Sequence, residues 1–239
     1  MDKESRPMPT AIVTGASRGF GRAVAFALAK RGWALVLDAR GDAALQATAA
    51  TLPADRTLAI AGDVSDAGHR AELVRAAERL GGLDLLLNNA SELGPSPLPE
   101  LARYPLDELV RLYATNVFAP LALMQAALPL LVARNGTIVN VSSDAGAEAY
   151  AGWGGYGSSK AALDHLSKVL AVEQPALRIH AFDPGDMRTE MHQRAFPSED
   201  VSDRPEPETV VPALLRLLDE RPASGRYRAS ELLVPEVVR

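Results

Sequence analysis

The feature that most constrains the fold is an alternation of short, continuous apolar runs with longer helical patterns, carried along the whole chain. The apolar runs are "AIVTG" (11–15), "ALVLDA" (34–39), "TLAIAGDV" (57–64), "LDLLLNNA" (83–90), "TIVNVSS" (137–143) and "RIHAFDP" (178–184), with a weaker "RYRA" near 226. Most do not alternate apolar with polar residues, as expected of strands buried on both faces. Helical patterns lie at about 19–31, 42–52, 67–80, 106–134, 156–173 and 208–219. Such alternation gives a mostly parallel sheet of seven strands with helices on both faces and right-handed crossovers, a doubly wound α/β fold in three layers. In these sheets ligands bind beyond the carboxyl ends of the strands. The polar clusters "TGASRG", "DAR", "GDV", "NNAS", "VSSD" and "DPGD" all fall there, so one edge of the sheet is a candidate active site.

Composition removes several function classes. The chain has no cysteine, which excludes disulfides, thiolate catalysis and cysteine-ligated zinc, and fits a reducing, cytoplasmic setting. A net charge of −5 argues against a nucleic-acid partner. The N-terminal "MDKESRPMPT" lacks the apolar run of a signal peptide. The most apolar stretch, Val117 to Ala133, is short for a bilayer and contains two prolines and a glutamine, so a buried helix is expected and no membrane partner. His165, His180 and His192 have no metal-ligand spacing, and no metal is expected. No linker or repeat divides the 239 residues, which read as one domain with residues 1–8 flexible.

After the first strand comes "TGASRGFG", with Gly15, Gly19 and Gly21. Gly15 permits a sharp turn, and the later glycines permit backbone approach to a pyrophosphate and packing of helix on strand. A helix starting near Gly19 aims its N-terminal amides at phosphates, so the turn, including Ser17, Arg18 and Phe20, is a candidate dinucleotide site of Rossmann type. At the end of the second strand stand Asp38, Ala39 and Arg40. An acid there suits the ribose hydroxyls of NAD, a base the 2′-phosphate of NADP. Arg40 and Arg18 together favour NADP(H) over NAD(H), and Asp38 argues the other way.

Tyr156 and Lys160 lie four residues apart in "GGYGSSK", so on a helix they share a face. A nearby ammonium favours the phenolate and eases proton transfer. With "TGASRGFG", "NNA", Asn116, "NVSS" thirteen residues before the tyrosine, and "DPGDMRT", the chain resembles the short-chain dehydrogenase/reductase family from about residue 9 to 220. The resemblance implies a hydride-transfer enzyme. Tyr156 would exchange a proton with the substrate oxygen, and Lys160 would lower the tyrosine pKa and hold the nicotinamide ribose. Ser143 would steady the substrate oxygen, and Asn116 would bend its helix and hold a water of the proton relay. Asp63 and Val64 would meet the adenine, and Asn89 and Ala90 the adenosine ribose. Pro184 and Gly185 would pack by the nicotinamide, with Met187 and Thr189 on its carboxamide.

Ser91 replaces the family's usual glycine, and the C-terminal "SGRYRASELLVPEVVR" departs from the family ending, so a homodimer through 106–134 and 156–173 is expected rather than a tetramer. Asp144, Trp153, Asp186 and His192 are candidates to meet substrate, and residues 190–207 are a candidate lid. Carboxylates at Asp144, Glu148, Asp186 and Glu190 suggest a small polar or amine-bearing ketone or secondary alcohol. A cofactor-binding sensor, or a dehydratase or epimerase on the same fold, are the alternatives. The latter usually carries a longer C-terminal substrate domain.

Overall fold

The computed structural model describes residues 8–233. Residues 1–7 of the segment expected to be flexible, and the tail after 233, lie outside the described residues. The strands are β1 Thr10–Val13, β2 Ala34–Ala39, β3 Thr57–Ala61, β4 Leu85–Asn88, β5 Thr137–Val141, β6 Arg178–Asp183 and β7 Gly225–Arg228. They form one sheet in the order β3-β2-β1-β4-β5-β6-β7. Where a mostly parallel sheet was expected, all six pairings are parallel, the weak seventh strand included. The order reverses between β1 and β4, and doubly wound sheets open a crevice at such a point.

The helices are α1 Gly19–Lys30, α2 Asp42–Ala49, α3 Ala67–Arg79, α4 Leu106–Tyr113, α5 Ala119–Arg134, α6 Gly154–Glu173, α7 Glu190–Ala195, α8 Pro207–Glu220 and α9 Ala229–Leu232. The period-2 geometry of a strand explains why the apolar runs are continuous. Leu85 and Leu87 of β4 enter the core beneath α1 and α8, whereas Leu86 between them enters the core beneath α3 and α5. Each fully buried leucine contributes about 1.5–3 kcal/mol of burial free energy.

The helical pattern at 106–134 is not one regular helix. A π turn at Ala114–Phe118 separates α4 from α5, and Asn116 sits inside it with its amide bonded to neighbouring segments. By length and composition this stretch could cross a membrane. Its inner face is instead core: Leu123, Met124, Ala127 and Leu131 pack beneath the sheet. Its outer side exposes Leu106, Val110, Phe118 and Val132.

The two strands at the switch point are tied by Thr14. Its hydroxyl accepts hydrogen bonds from the Asn89 amide at 2.9 Å and the Ala90 amide at 3.0 Å, and donates to the Leu87 carbonyl at 3.2 Å. Asn89 returns two bonds, its side-chain amide donating to the carbonyls of Thr14 at 2.9 Å and Gly15 at 3.2 Å. Thr14 is 2% exposed, so losing the hydroxyl strands two part-buried amides. Thr14→Val is expected to lower unfolding free energy by about 2–3 kcal/mol in urea titration, and Thr14→Ser by less than about 1 kcal/mol.

Candidate active site

A cavity of 930 Å³ runs along the carboxyl edge of the sheet, from the ends of β2 and β3 to the start of α6. That is the upper end of ligand-site sizes, as an extended dinucleotide with a small substrate requires. At the glycine turn Gly15 has φ +65°, a conformation glycine adopts without strain. Arg18 precedes α1 without capping it by its side chain, so the first-turn amides are left for an anion. Ser17, Arg18, Gly19 and Phe20 line the cavity. The Phe20 ring turns into the core and stacks on Phe182 at 5.9 Å. Gly21 does not line the cavity, contrary to its expected place among the cofactor residues. A Cβ there would lie 2.5 Å from the Gly15 carbonyl oxygen, so its role is close packing of α1 on the turn.

Ala39, Arg40, Asp63, Val64, Asn89 and Ala90 line the same end of the cavity, and Arg18 and Arg40 are exposed there. Each arginine meets a carboxylate across the cleft, Arg18 with Glu190 and Arg40 with Glu92 at 2.5 Å. Asp38 is different. It is 1% exposed, and its Oδ1 lies 2.6 Å from His69 Nε2.

At the other end stand Tyr156 and Lys160, on one face of α6 and both buried. The Lys160 ammonium donates to the Val141 carbonyl at 2.7 Å and lies 5.4 Å from the Tyr156 ring centre. Burial pushes the lysine down to about 8, with Asp164 opposing. Burial pushes the Tyr156 phenol well above its usual value, and the hydroxyls of Ser91 and Ser143 work against that shift. Ser143 donates to Asp144 Oδ1 at 3.0 Å, and Tyr150 donates to Asp144 Oδ2 at 3.0 Å. Asn116 stands behind the cavity wall, 1% exposed. Its amide nitrogen donates to the Glu92 carbonyl at 2.9 Å and to the Ser159 hydroxyl at 3.0 Å. Its oxygen accepts from the Glu92 amide at 2.8 Å and from Ser91 at 3.3 Å.

Pro184, Gly185, Asp186, Met187 and Thr189 form the wall after β6, and Trp153 and His192 complete it near Tyr156. Trp153 meets Tyr156 edge-on at 5.7 Å and Phe196 at 5.8 Å. The expected lid begins with the short helix α7, whose Met191 and Ala195 pack with Phe196 toward Tyr156 and Leu93. The acids suggested for substrate are mostly engaged. Glu190 pairs with Arg18, Glu148 lies 4.0 Å from Arg228, and Asp186 lies 3.8 Å from both His192 and Arg204. Asp144 has no basic partner among the described residues, and bonds only hydroxyls and an amide. His165 is exposed on α6, and His180 is buried in β6 beside Tyr227.

Sequence reading missed Arg226. From β7 it bonds Asp183 at 2.9 Å, Asp164 at 3.1 Å and the Ser143 carbonyl at 2.9 Å, joining β6, α6 and the serine loop. The only signal was a base in an otherwise weak strand.

A family profile described as "short chain dehydrogenase" matches residues 9–200. The chain belongs to the short-chain dehydrogenase family. It is 36% identical over 199 residues to a sepiapterin reductase of Meriones unguiculatus, covering 77% of this chain and 76% of that one. A putative short chain dehydrogenase from Pseudomonas syringae superposes with a TM-score of 0.86 at 33% identity, covering 96% of this chain and 99% of that one. A second such structure, from Shigella flexneri and complexed with NADP, has a TM-score of 0.86 at 30% identity over 93% and 97% of the two chains. As a member of this family the protein is an NAD(P)-dependent oxidoreductase.

The buried lysine has a consequence for stability. Its folded value of about 8 lies below the ordinary 10.5, so between those limits the unfolded chain binds the extra proton. Stability therefore rises with pH through that window, by on the order of 3 kcal/mol for a shift of this size. Urea unfolding at pH 7.5 and 10 is expected to show this gain in the wild type and not in Lys160→Met.

Proposed function

We propose that this protein is an NADPH-dependent carbonyl reductase, reversible as an alcohol dehydrogenase, acting on a small polar ketone or secondary alcohol. The observation that carries the reading is a buried phenol and a buried ammonium side by side on α6, at the end of a dinucleotide-sized cavity and beside Ser143. The nicotinamide, when bound, supplies or accepts the hydride. Tyr156, Ser143, Lys160 and Asn116 do the rest.

Tyr156 holds its proton firmly in a dry setting and releases it to a carbonyl oxygen as negative charge grows there. Ser143 swings its hydroxyl from Asp144 to the same oxygen. Lys160 stabilises the phenolate left behind and reaches the nicotinamide ribose. Asn116 has its side-chain amide fully engaged by protein groups, so its side chain positions the 91–92 loop and α6. At the far end, Arg18 and Arg40 exchange their carboxylate partners for a 2′-phosphate. Ser17, Gly19 and Phe20 bind the pyrophosphate by backbone, Asp63 and Val64 the adenine, Asn89 and Ala90 the ribose, and the 184–189 wall the nicotinamide.

The substrate end combines an aromatic wall, Trp153 and Phe196, with Asp144, which suits a flat carbonyl compound bearing a hydrogen-bond donor or an amine. The 190–207 segment closes over it, with α7 as its packed edge. Exposed Leu106, Val110 and Phe118, with Val169 and Val172 of α6, support a homodimer through these helices. Its cysteine-free sequence fits the cytoplasm.

Tyr156→Phe is expected to lower NADPH-dependent turnover of a carbonyl panel by about 100-fold or more, with the cofactor Kd changed by less than about threefold. Turnover retained in the variant would falsify the assignment of the proton donor. Tight cofactor binding by the wild type with no turnover of any carbonyl or alcohol points to a sensor.

A further inference from the structure

Among the described residues, the Asp38–His69 pair sits at the wall of the adenosine end of the cavity, Asp38 lining it and His69 behind, and belongs to no part of the mechanism above. Asp38 is the penultimate residue of β2 and lines the cavity with Ala39 and Arg40, though it is only 1% exposed. Its carboxylate meets His69 Nε2 at 2.6 Å and the backbone amide of Gly15 at the glycine turn. The histidine, 8% exposed in the first turn of α3, is held from the other side by Gly62. A Cβ at residue 62 would fall 2.3 Å from His69 Nδ1, so only glycine there leaves room for the ring. Three separated segments therefore fit together around one hydrogen bond.

The bond matters because of charge. A bare carboxylate at the end of β2 suits a ribose with free hydroxyls and repels a 2′-phosphate. The bond to Asp38 raises the affinity of His69 for a second proton, and with both ring nitrogens protonated the pair is neutral. Without the imidazole, Asp38 adds a full negative charge beside Arg40 and is free to turn toward the ribose. The other charged groups around the histidine are Asp63 and Arg40 near the strand ends, and Asp66 and Glu72 of α3 and its cap. The three acids favour keeping the proton on the pair.

We propose that His69 determines cofactor choice: by neutralising Asp38 and holding it inside, it lets a chain with an acid at the end of β2 accept a 2′-phosphate. This rests on the NADPH reading of the site and explains how that reading coexists with Asp38. The histidine touches no cofactor atom in this account and acts as a positioning residue through Asp38.

The test is equilibrium binding of NADPH and NADH, by quenching of protein fluorescence, to the wild type, His69→Gln, Asp38→Asn and the double variant, with far-UV circular dichroism and thermal midpoints as folding controls. The expected selectivity, Kd for NADH over Kd for NADPH, falls about tenfold in His69→Gln. It is kept or raised in Asp38→Asn, and the double variant returns to within about threefold of wild type, because the charge that histidine cancels is gone. A selectivity unchanged in His69→Gln overturns the inference while leaving NADPH as cofactor. An equal loss in single and double variants also overturns it, by showing a packing effect alone. A wild type that binds NADH more tightly than NADPH overturns both the inference and the cofactor reading beneath it. If His69→Gln does not fold, His69→Asn takes its place with the same expected fall, and the double variant must still match Asp38→Asn; a selectivity unchanged in His69→Asn, or lost in the double variant, overturns the inference.

Discussion

A lysine ammonium that is 2% exposed must be satisfied from inside the protein, and the reaction end of the cavity is arranged around that requirement. Its partner is the carbonyl of Val141, the last residue of β5, where the parallel ladder stops and a main-chain oxygen is left for a side chain. Bringing α6 close enough for the contact presses its first turn against the loop after β5. A Cβ at Gly157 would lie 2.4 Å from the Ala145 carbonyl oxygen, and one at Gly155 would lie 2.4 Å from the Tyr104 ring. The small residues around Tyr156 are therefore the packing condition for burying Lys160. The same close approach dries the phenol and raises its affinity for its proton.

Arg226 extends this logic behind the cavity. Two buried carboxylates, Asp164 one turn beyond Lys160 and Asp183 at the end of β6, would be costly unpaired in this setting, and a single guanidinium bonds both. Its third bond, to the Ser143 carbonyl, fixes the loop that presents the serine hydroxyl. Serine, tyrosine and lysine thus come from the loop after β5 and from α6 but are held in register by β7, the weakest strand in the sequence.

The parts legible in the sequence were those with a local signature. Continuous apolar runs located the strands, with β2 placed at its observed limits, and the glycine turn and the "GGYGSSK" run marked the two ends of the cavity. The parts that were not legible depend on where a side chain turns once the sheet is built. Asp38 stood as an argument for NAD because the sequence does not reveal that His69, 31 residues away, engages its carboxylate. Asp186 and Glu190 looked like a free acidic cluster because their basic partners, Arg204 and Arg18, come from distant segments. Gly21 looked like a phosphate contact, yet the close approach it permits is to the protein's own backbone. The break in the long helix at 114–118 has no proline or glycine inside it, and only the family resemblance, through Asn116, announced it.

The central claim is that this cavity brings a nicotinamide carbon and a substrate carbonyl together for direct hydride transfer, with the proton supplied from Tyr156. The most direct measurement uses NADPH deuterated at both C4 positions, with mass spectrometry of the product from the best carbonyl substrate of a panel. The account predicts one deuterium on the carbinol carbon of the alcohol for each NADPH oxidised, and none on its oxygen after work-up in ordinary water. An alcohol formed without deuterium on that carbon would contradict it, as would a bound cofactor that keeps its label through turnover.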